Sequence, residues 1–169
     1  MSWKSLEDMD IMSHPDSYLD WIQIKRIIYT AKQKKYRDYL LLRLLLGRRV
    51  SEIVRENGIR PMDIRLPNII NFMALKRKQS KRYPLVMEKE LVGRLYNYCE
   101  TRKIPDDKPI FPISRQRVFQ IVREYGKLCG IEWVGEKQLH PHHMRHSYAI
   151  HFAKKATTPL DIYKLQRRL

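Results

Sequence analysis

Five of the six histidines in this 169-residue sequence fall within twelve positions, in the run His-Pro-His-His-Met-Arg-His-Ser-Tyr-Ala-Ile-His. They are His140, His142, His143, His146 and His151, with Arg145 among them. A proline opens the segment, and Met144, Tyr148, Ile150 and Phe152 then follow an apolar pattern of helical period, which predicts a loop entering a helix. At such a place backbone N–H groups, a guanidinium and imidazoles can converge on one anion. Zinc is the competing chemistry, because His142 and His146 are spaced i, i+4 on the expected helix. No cysteine or second histidine pair of suitable spacing completes a ligand set, and the nearby cations would repel the ion, so no metal is expected.

Three other basic groups could serve the same anion. Arg48 and Arg49 follow Gly47 at the end of an apolar run, with Glu52 close behind. Arg49 and Glu52 are three apart and would share a helix face, so an internal ion pair is one reading. The other is an arginine held rigidly toward a ligand by a packed helix end. The stretch Lys76-Arg77-Lys78-Gln79-Ser80-Lys81-Arg82 places five cations in seven residues. Cations on a hairpin can keep an edge strand soluble, or can form a finger that touches a phosphate backbone. Finally, Ser114-Arg115-Gln116-Arg117 puts two arginines in the first turn of an expected helix, against the dipole preference for anions there. Solvent exposure would explain them, and so would contact with DNA, which helices often read through their first turn.

The totals narrow the partner. There are 34 Lys and Arg against 18 Asp and Glu, a formal charge of +16. A balance this basic points first to nucleic acid, then to an anionic membrane surface, and weakly to an acidic protein. With 43% hydrophobic and 31% charged residues, the chain is too apolar for disorder. Its length fits one domain with an ordinary core. No apolar run is long enough for a membrane span, and the acidic N-terminal stretch does not resemble a signal peptide. The expected location is the cytoplasm, in association with the nucleoid. Cys99 and Cys129 lie in apolar helical patterns with no CxxC partner and are expected to be buried thiols in a reducing compartment.

Several elements must position these groups. Residues 1–15 show no period and are expected to be a lead-in or linker stub. Asp16 or Ser17 can cap a helix with Leu19, Ile22 and Ile27 inward, reaching about residue 31. The charge run Lys32, Lys34, Lys35 and Arg37 reads as a solvated connection. Residues 39–46 are apolar nearly all round, which predicts a central buried helix. Strands are expected over 68–75 and 83–86. A helix over 88–103 would bury Leu91, Val92, Leu95 and Tyr98, and Pro105, Pro109 and Pro112 then break the chain. Ser114 can cap a helix with Val118, Ile121, Val122, Tyr125 and Leu128 inward, closed by Gly130. Thr158 and Pro159 open a last helix over 160–169. The sequence ends inside that helical pattern, which reads as a fragment. The expected fold is α+β and mostly α-helical, a helical core with a small antiparallel β-sheet or hairpin.

In this order the pieces resemble the catalytic domain of the tyrosine recombinase, or phage integrase, family. Gly47-Arg48-Arg49-Val50-Ser51-Glu52 matches the family's Gly-x-Arg-x-Ser-Glu. Lys76 precedes Tyr83-Pro84-Leu85, as the family's hairpin lysine precedes its Val-Pro-Leu-like strand. Residues 141–151 match Pro-His-x-Leu-Arg-His-Ser-Phe-Ala-Thr-His. Ser114 to Phe119 and Asp63-Ile64 are further family-like elements. The resemblance covers about residues 16–169, an integrase-like catalytic domain that stops before the nucleophile segment.

The resemblance implies cleavage and rejoining of DNA through a covalent phosphotyrosine, with no metal or other cofactor. A tyrosine hydroxyl attacks the scissile phosphate and the 5′ hydroxyl leaves. Arg49 and Arg145 would clamp the nonbridging oxygens, because guanidiniums offer planar forks of donors that stay protonated. His142 would assist proton transfer or bind the phosphate. Lys76, with Lys78 as runner-up, would protonate the leaving oxygen. Lys78, Lys81, Arg82, Arg115 and Arg117 would hold the DNA. Glu52 would orient or pack near Arg49, and His143, His146 and His151 would support the site. The implied partners are double-stranded DNA and further copies of the full-length protein, as a dimer or tetramer on DNA, with no membrane.

The departures from the pattern are equally specific. In the family, the helix matching residues 160–169 continues into Gly-His and then the nucleophilic tyrosine. None of the ten tyrosines here stands at that position. Tyr163 is nearest in sequence but falls inside the preceding helix, where a structural role is expected. This chain alone is therefore expected to hold DNA without cleaving it. The alternatives are a non-catalytic DNA-binding protein derived from a recombinase, and a basic RNA-binding protein, which leaves the ordered motifs unexplained.

Overall fold

The structure, a computed structural model, describes residues 18–74 and 81–168, with side chains described to residue 164. The chain begins with α1 (Trp21–Lys34), α2 (Tyr36–Leu45) and the short α3 (Val50–Ile53). A 3-10 turn (Pro61–Asp63) leads into an antiparallel sheet of β1 (Ile64–Arg65), β2 (Ile69–Met73) and β3 (Arg82–Val86), in the order β1-β2-β3. Next come α4 (Lys89–Arg102) and α5 (Arg115–Leu128), then a small hairpin of β4 (Trp133–Val134) and β5 (Lys137–Gln138). The last helices are α6 (Pro141–Lys155) and α7 (Pro159–Arg168). The mostly helical α+β architecture with small antiparallel sheets agrees with the expectation.

The middle of the fold is α2, because its sequence leaves it no polar face. Tyr39, Leu40, Leu41, Leu42, Leu44 and Leu45 are all buried, as an all-round apolar helix requires. Its one buried acid, Asp38, accepts a 2.7 Å hydrogen bond from the Tyr125 hydroxyl of α5 and pairs with Arg37. A buried carboxylate is costly unless bonded in this way. The bond also pushes the already buried Tyr125 phenol well above its usual range, burial being the larger cause.

Some expected positions move. Residues 1–17 lie outside the described residues, which includes the expected lead-in and the caps Asp16 and Ser17. The helix is capped by Asp20 instead: its carboxylate accepts from the Gln23 N–H at 2.8 Å, and the Gln23 side chain accepts from the Asp20 N–H at 3.0 Å. That reciprocal box satisfies two otherwise orphaned donors. Ile24, Ile27 and Ala31, spaced three and four apart, form the buried stripe, and Ile22, on the opposite face of the helix, is 70% exposed. Leu128 is likewise 57% exposed. There α5 tightens as the Cys129 N–H bonds the Tyr125 and Gly126 carbonyls, and Cys129 takes the buried position. Cys99 and Cys129 are both buried free thiols.

The β4–β5 hairpin has no counterpart among the expected elements. Its turn contains Gly135 at φ 60°, a left-handed conformation that glycine adopts without steric cost. With two-residue strands, it carried too little alternation to be recognised in sequence. Ser147 and His151 of α6 grip the chain just before α1. The Ser147 hydroxyl accepts from the buried Leu19 N–H at 2.9 Å, and a His151 ring nitrogen lies 2.8 Å from the Leu19 carbonyl oxygen. No described helix is long and apolar enough to cross a membrane.

Candidate active site

Two helix junctions build the site. At the first, α2 must leave the core: the Gly47 and Arg48 N–H groups both bond the Leu44 carbonyl, at 3.2 and 2.9 Å. The chain then turns, and Arg49 becomes the extended N-cap residue of α3, at φ −75° and ψ 150°. That conformation takes Arg49 off the helical face it was expected to share with Glu52. The ion pair forms one residue earlier, where Arg48 Nη1 donates to Glu52 Oε2 at 3.1 Å. Among the described residues Arg49 has no ion-pair partner.

At the second junction, α6 starts with histidines in the roles usually given to Ser and Glu. His140 is the N-cap, and its Nδ1 accepts from the His142 N–H at 3.3 Å. His143 reaches back, its Nδ1 accepting from the His140 N–H at 3.2 Å. Pro141 at the first helical position needs no acceptor. The rings extend the order sideways. Phe119 of α5 stacks on His140 (centroids 5.8 Å apart), His140 on His142 (6.1 Å) and His142 on His146 (6.1 Å). His142 is thus held at a set angle while remaining exposed.

Between these junctions lies an open cavity of about 260 Å³, lined by Arg48, Arg49, Arg115, Phe119, His142 and Arg145 among others. Its lining is strongly basic. Burial, then the neighbouring Arg49 and Arg48 guanidiniums, push Arg145 below the ordinary arginine range. Partial enclosure of the ring, then Arg145 and Arg49, lower His142, which favours the neutral imidazole that can accept or relay a proton. Burial also lowers His140 and His146, and takes His143 to about 4. Glu52, the buried carboxylate nearby, is raised by burial and pulled back by Arg48, Arg145 and Arg49 in that order.

The other expected contacts are placed unequally. Lys76 and Lys78 lie outside the described residues. Lys81 is exposed at the start of the returning strand. Arg82 is engaged within the fold: it pairs with Asp63 at 3.0 Å and donates to the Gly58 carbonyl at 3.0 Å. Arg115 is exposed on the first turn of α5, where the Ser114 hydroxyl accepts from the Arg117 N–H at 3.0 Å. Arg117 bonds Gln120 and Glu124 at 3.2 and 3.0 Å. Sequence reasoning missed Arg48, which looked like a neighbour of the important arginine and is 1% exposed. Among the described residues, no group of three or more His, Cys, Asp or Glu side chains could hold a metal ion.

Known proteins share both the fold and the family motifs of this chain. The fold matches a crystal structure of XerA recombinase with TM-score 0.67, at 24% identity over 93% of this chain and 57% of that one. It also matches XerH site-specific recombinase bound to its difH substrate, with TM-score 0.63, at 17% identity over 90% of this chain and 46% of that one. The family model of the phage integrase family matches residues 17–167, and the chain belongs to that family. A tyrosine recombinase of Pseudothermotoga lettingae is 36% identical over 129 residues, 72% of this chain and 42% of that protein. A probable integrase/recombinase of Bacillus subtilis, YoeC, is 27% identical over 87% of this chain and 78% of that protein. XerA of Pyrococcus furiosus is 29% identical over 87% and 50%. The chain thus spans about half the length of two of these three relatives.

Proposed function

We propose that this domain binds duplex DNA and positions one backbone phosphate for strand cleavage by a tyrosine, as part of a site-specific recombinase or integrase. The observation that carries the proposal is Arg49. The adjacent Arg48 is ion-paired with Glu52, whereas Arg49 has no carboxylate partner among the described residues and opens on the same cavity as Arg145 and His142. A cavity that keeps such a cation is arranged for an anion from outside.

In the proposed step the guanidinium forks of Arg49 and Arg145 take the nonbridging oxygens, where charge accumulates as the phosphorus becomes five-coordinate. The neutral His142 imidazole binds the phosphate or takes the proton of the attacking hydroxyl. Lys76, or Lys78 in its place, gives a proton to the leaving 5′ oxygen. The attacking tyrosine is supplied by sequence other than these 169 residues. Arg115, Arg117 and Lys81 run along the flanking backbone; Arg82 is omitted, because Asp63 already holds it. No metal takes part in this scheme. The DNA substrate implies a place with the nucleoid in the cytoplasm, and full-length copies assemble as dimers or tetramers on the site. The B. subtilis and XerH likenesses support this reading.

The test extends the chain through the downstream sequence and incubates it with a nicked duplex that traps the covalent intermediate. A denaturing gel is expected to show a protein–DNA band with the extended protein, lost on Arg49→Ala or Arg145→Ala. The chain of 169 residues is expected to bind the duplex without forming the band. No band from the extended protein would favour a DNA-binding protein that has lost catalysis.

A further inference from the structure

We propose that Arg48 is a positioning residue for this site: it holds the Glu52 carboxylate so that Arg49 keeps its guanidinium fork for the phosphate. The inference rests on the reading of the cavity as a phosphate site and adds what regulates its charge.

The geometry is one of competition. Glu52 is buried behind the cavity-lining Ser51, hydrogen-bonded to Arg48, and it feels the charges of Arg145 and Arg49. A guanidinium that pairs with this carboxylate is less available to an incoming phosphate, so a Glu52 paired with Arg49 would subtract from the site. Arg48 removes the competitor. Its Nη1 donates to Glu52 at 3.1 Å and to the Tyr83 hydroxyl of β3 at 3.0 Å, and its guanidinium lies over the Phe72 ring of β2, 5.4 Å from the centroid. Those contacts pin the head group from the sheet side, so it stays on Glu52.

Stability alone does not account for such a residue. Arg48 is 1% exposed, and its Nε and Nη2 have no hydrogen-bond partner among the described residues. Burying a guanidinium with donors unmet is costly, and buried ion pairs can often be replaced by apolar side chains of similar volume at no loss. A methionine would fill the space beside Phe72 more cheaply. What methionine cannot do is neutralise Glu52.

The test is a double substitution read by fluorescence anisotropy on a labelled duplex over a range of salt concentrations, in the 169-residue chain. Arg48→Met is expected to weaken binding about tenfold and to flatten the dependence of log affinity on log salt by about one unit, the loss of one phosphate contact. Arg48 itself is buried and touches no solvent, so a purely packing role would leave the slope unchanged. Glu52→Gln in the Arg48→Met background is expected to restore both affinity and slope to within about twofold of wild type. Glu52→Gln alone, nearly isosteric, is expected to bind as tightly as wild type or several-fold more tightly, and stands in if Arg48→Met does not fold. Wild-type behaviour of folded Arg48→Met, failure of Glu52→Gln to rescue it, or weakened binding by Glu52→Gln alone would each overturn the proposal. If wild type itself binds duplex without salt dependence, the phosphate-site reading fails instead, and does so before any variant is compared.

Discussion

At the scale of single residues, the site separates arginines that look alike in sequence. Arg48 and Arg49 are adjacent and both line the cavity, yet one is buried in an ion pair with Glu52 and the other has no ion-pair partner among the described residues. The cause is a backbone turn: the extended conformation of Arg49 takes it off the helical face it would share with Glu52. Arg49→Ala and Arg145→Ala are each expected to lower duplex affinity by about tenfold and to reduce the salt slope by about one unit, as the loss of a phosphate contact does. Anisotropy titrations at several salt concentrations measure both. Arg82→Ala is a useful contrast: with its guanidinium on Asp63 and Gly58, its loss is expected to appear in the melting temperature, with the salt slope unchanged.

At the scale of elements, the start of α6 carries an unusual dependence on pH. The caps His140 and His143 accept through Nδ1, which only the neutral imidazole can do. Their folded-state values lie below the unfolded value, His143 near 4. The unfolded chain therefore binds more protons than the folded one below about pH 6.5, and stability falls as the pH drops from there toward 4. Fully buried, a shift of this size corresponds to about 3 kcal/mol for His143. Thermal melts from pH 7 to pH 4 are expected to show the decline. His143→Gln, which keeps a capping-box acceptor that does not titrate, is expected to make it shallower. A second element-scale prediction concerns α5, where a Cβ at Gly126 would lie 2.5 Å from the Ile131 carbonyl oxygen and collide with the Leu139 side chain. That approach seats the segment leading into His140. Gly126→Ala is expected to cost about 1–3 kcal/mol by overpacking, measured by denaturant unfolding.

At the scale of the whole molecule, the charge of +16 acts as a field as well as a set of contacts. Such a field speeds encounter with a polyanion and is screened within about 10 Å at 0.1 M salt. Affinity without sequence preference is therefore expected to fall steeply with salt, whatever the target site. A preference for duplex DNA over RNA, in competition at fixed salt, separates a recombinase-derived domain from a general basic RNA-binding protein, which would hold both equally. The fold sets where the field is used: α2 is the buried axis, and α3 and α6 leave it on either side of one cavity, with the first turn of α5 at its edge.

The sequence by itself determined the class of protein, the buried helix and the motifs that match the family pattern, because these rest on local periodicity and on short runs of defined chemistry. The match of Gly47 to Glu52 and of Pro141 to His151 with family patterns needed no distances. Tertiary structure decided which members of each motif are engaged within the fold. Spacing suggested Arg49 with Glu52, and the turn at Gly47 gave the carboxylate to Arg48. The family match singled out His142 from the histidine run, whereas packing made His140 and His143 caps, fixed His151 on the Leu19 carbonyl and left His142 exposed at the site. Partners such as Leu19 with Ser147, or Arg48 with Tyr83, are separated by 128 and 35 positions. No local pattern encodes such pairs; they exist only once α2 has gathered its neighbours around it.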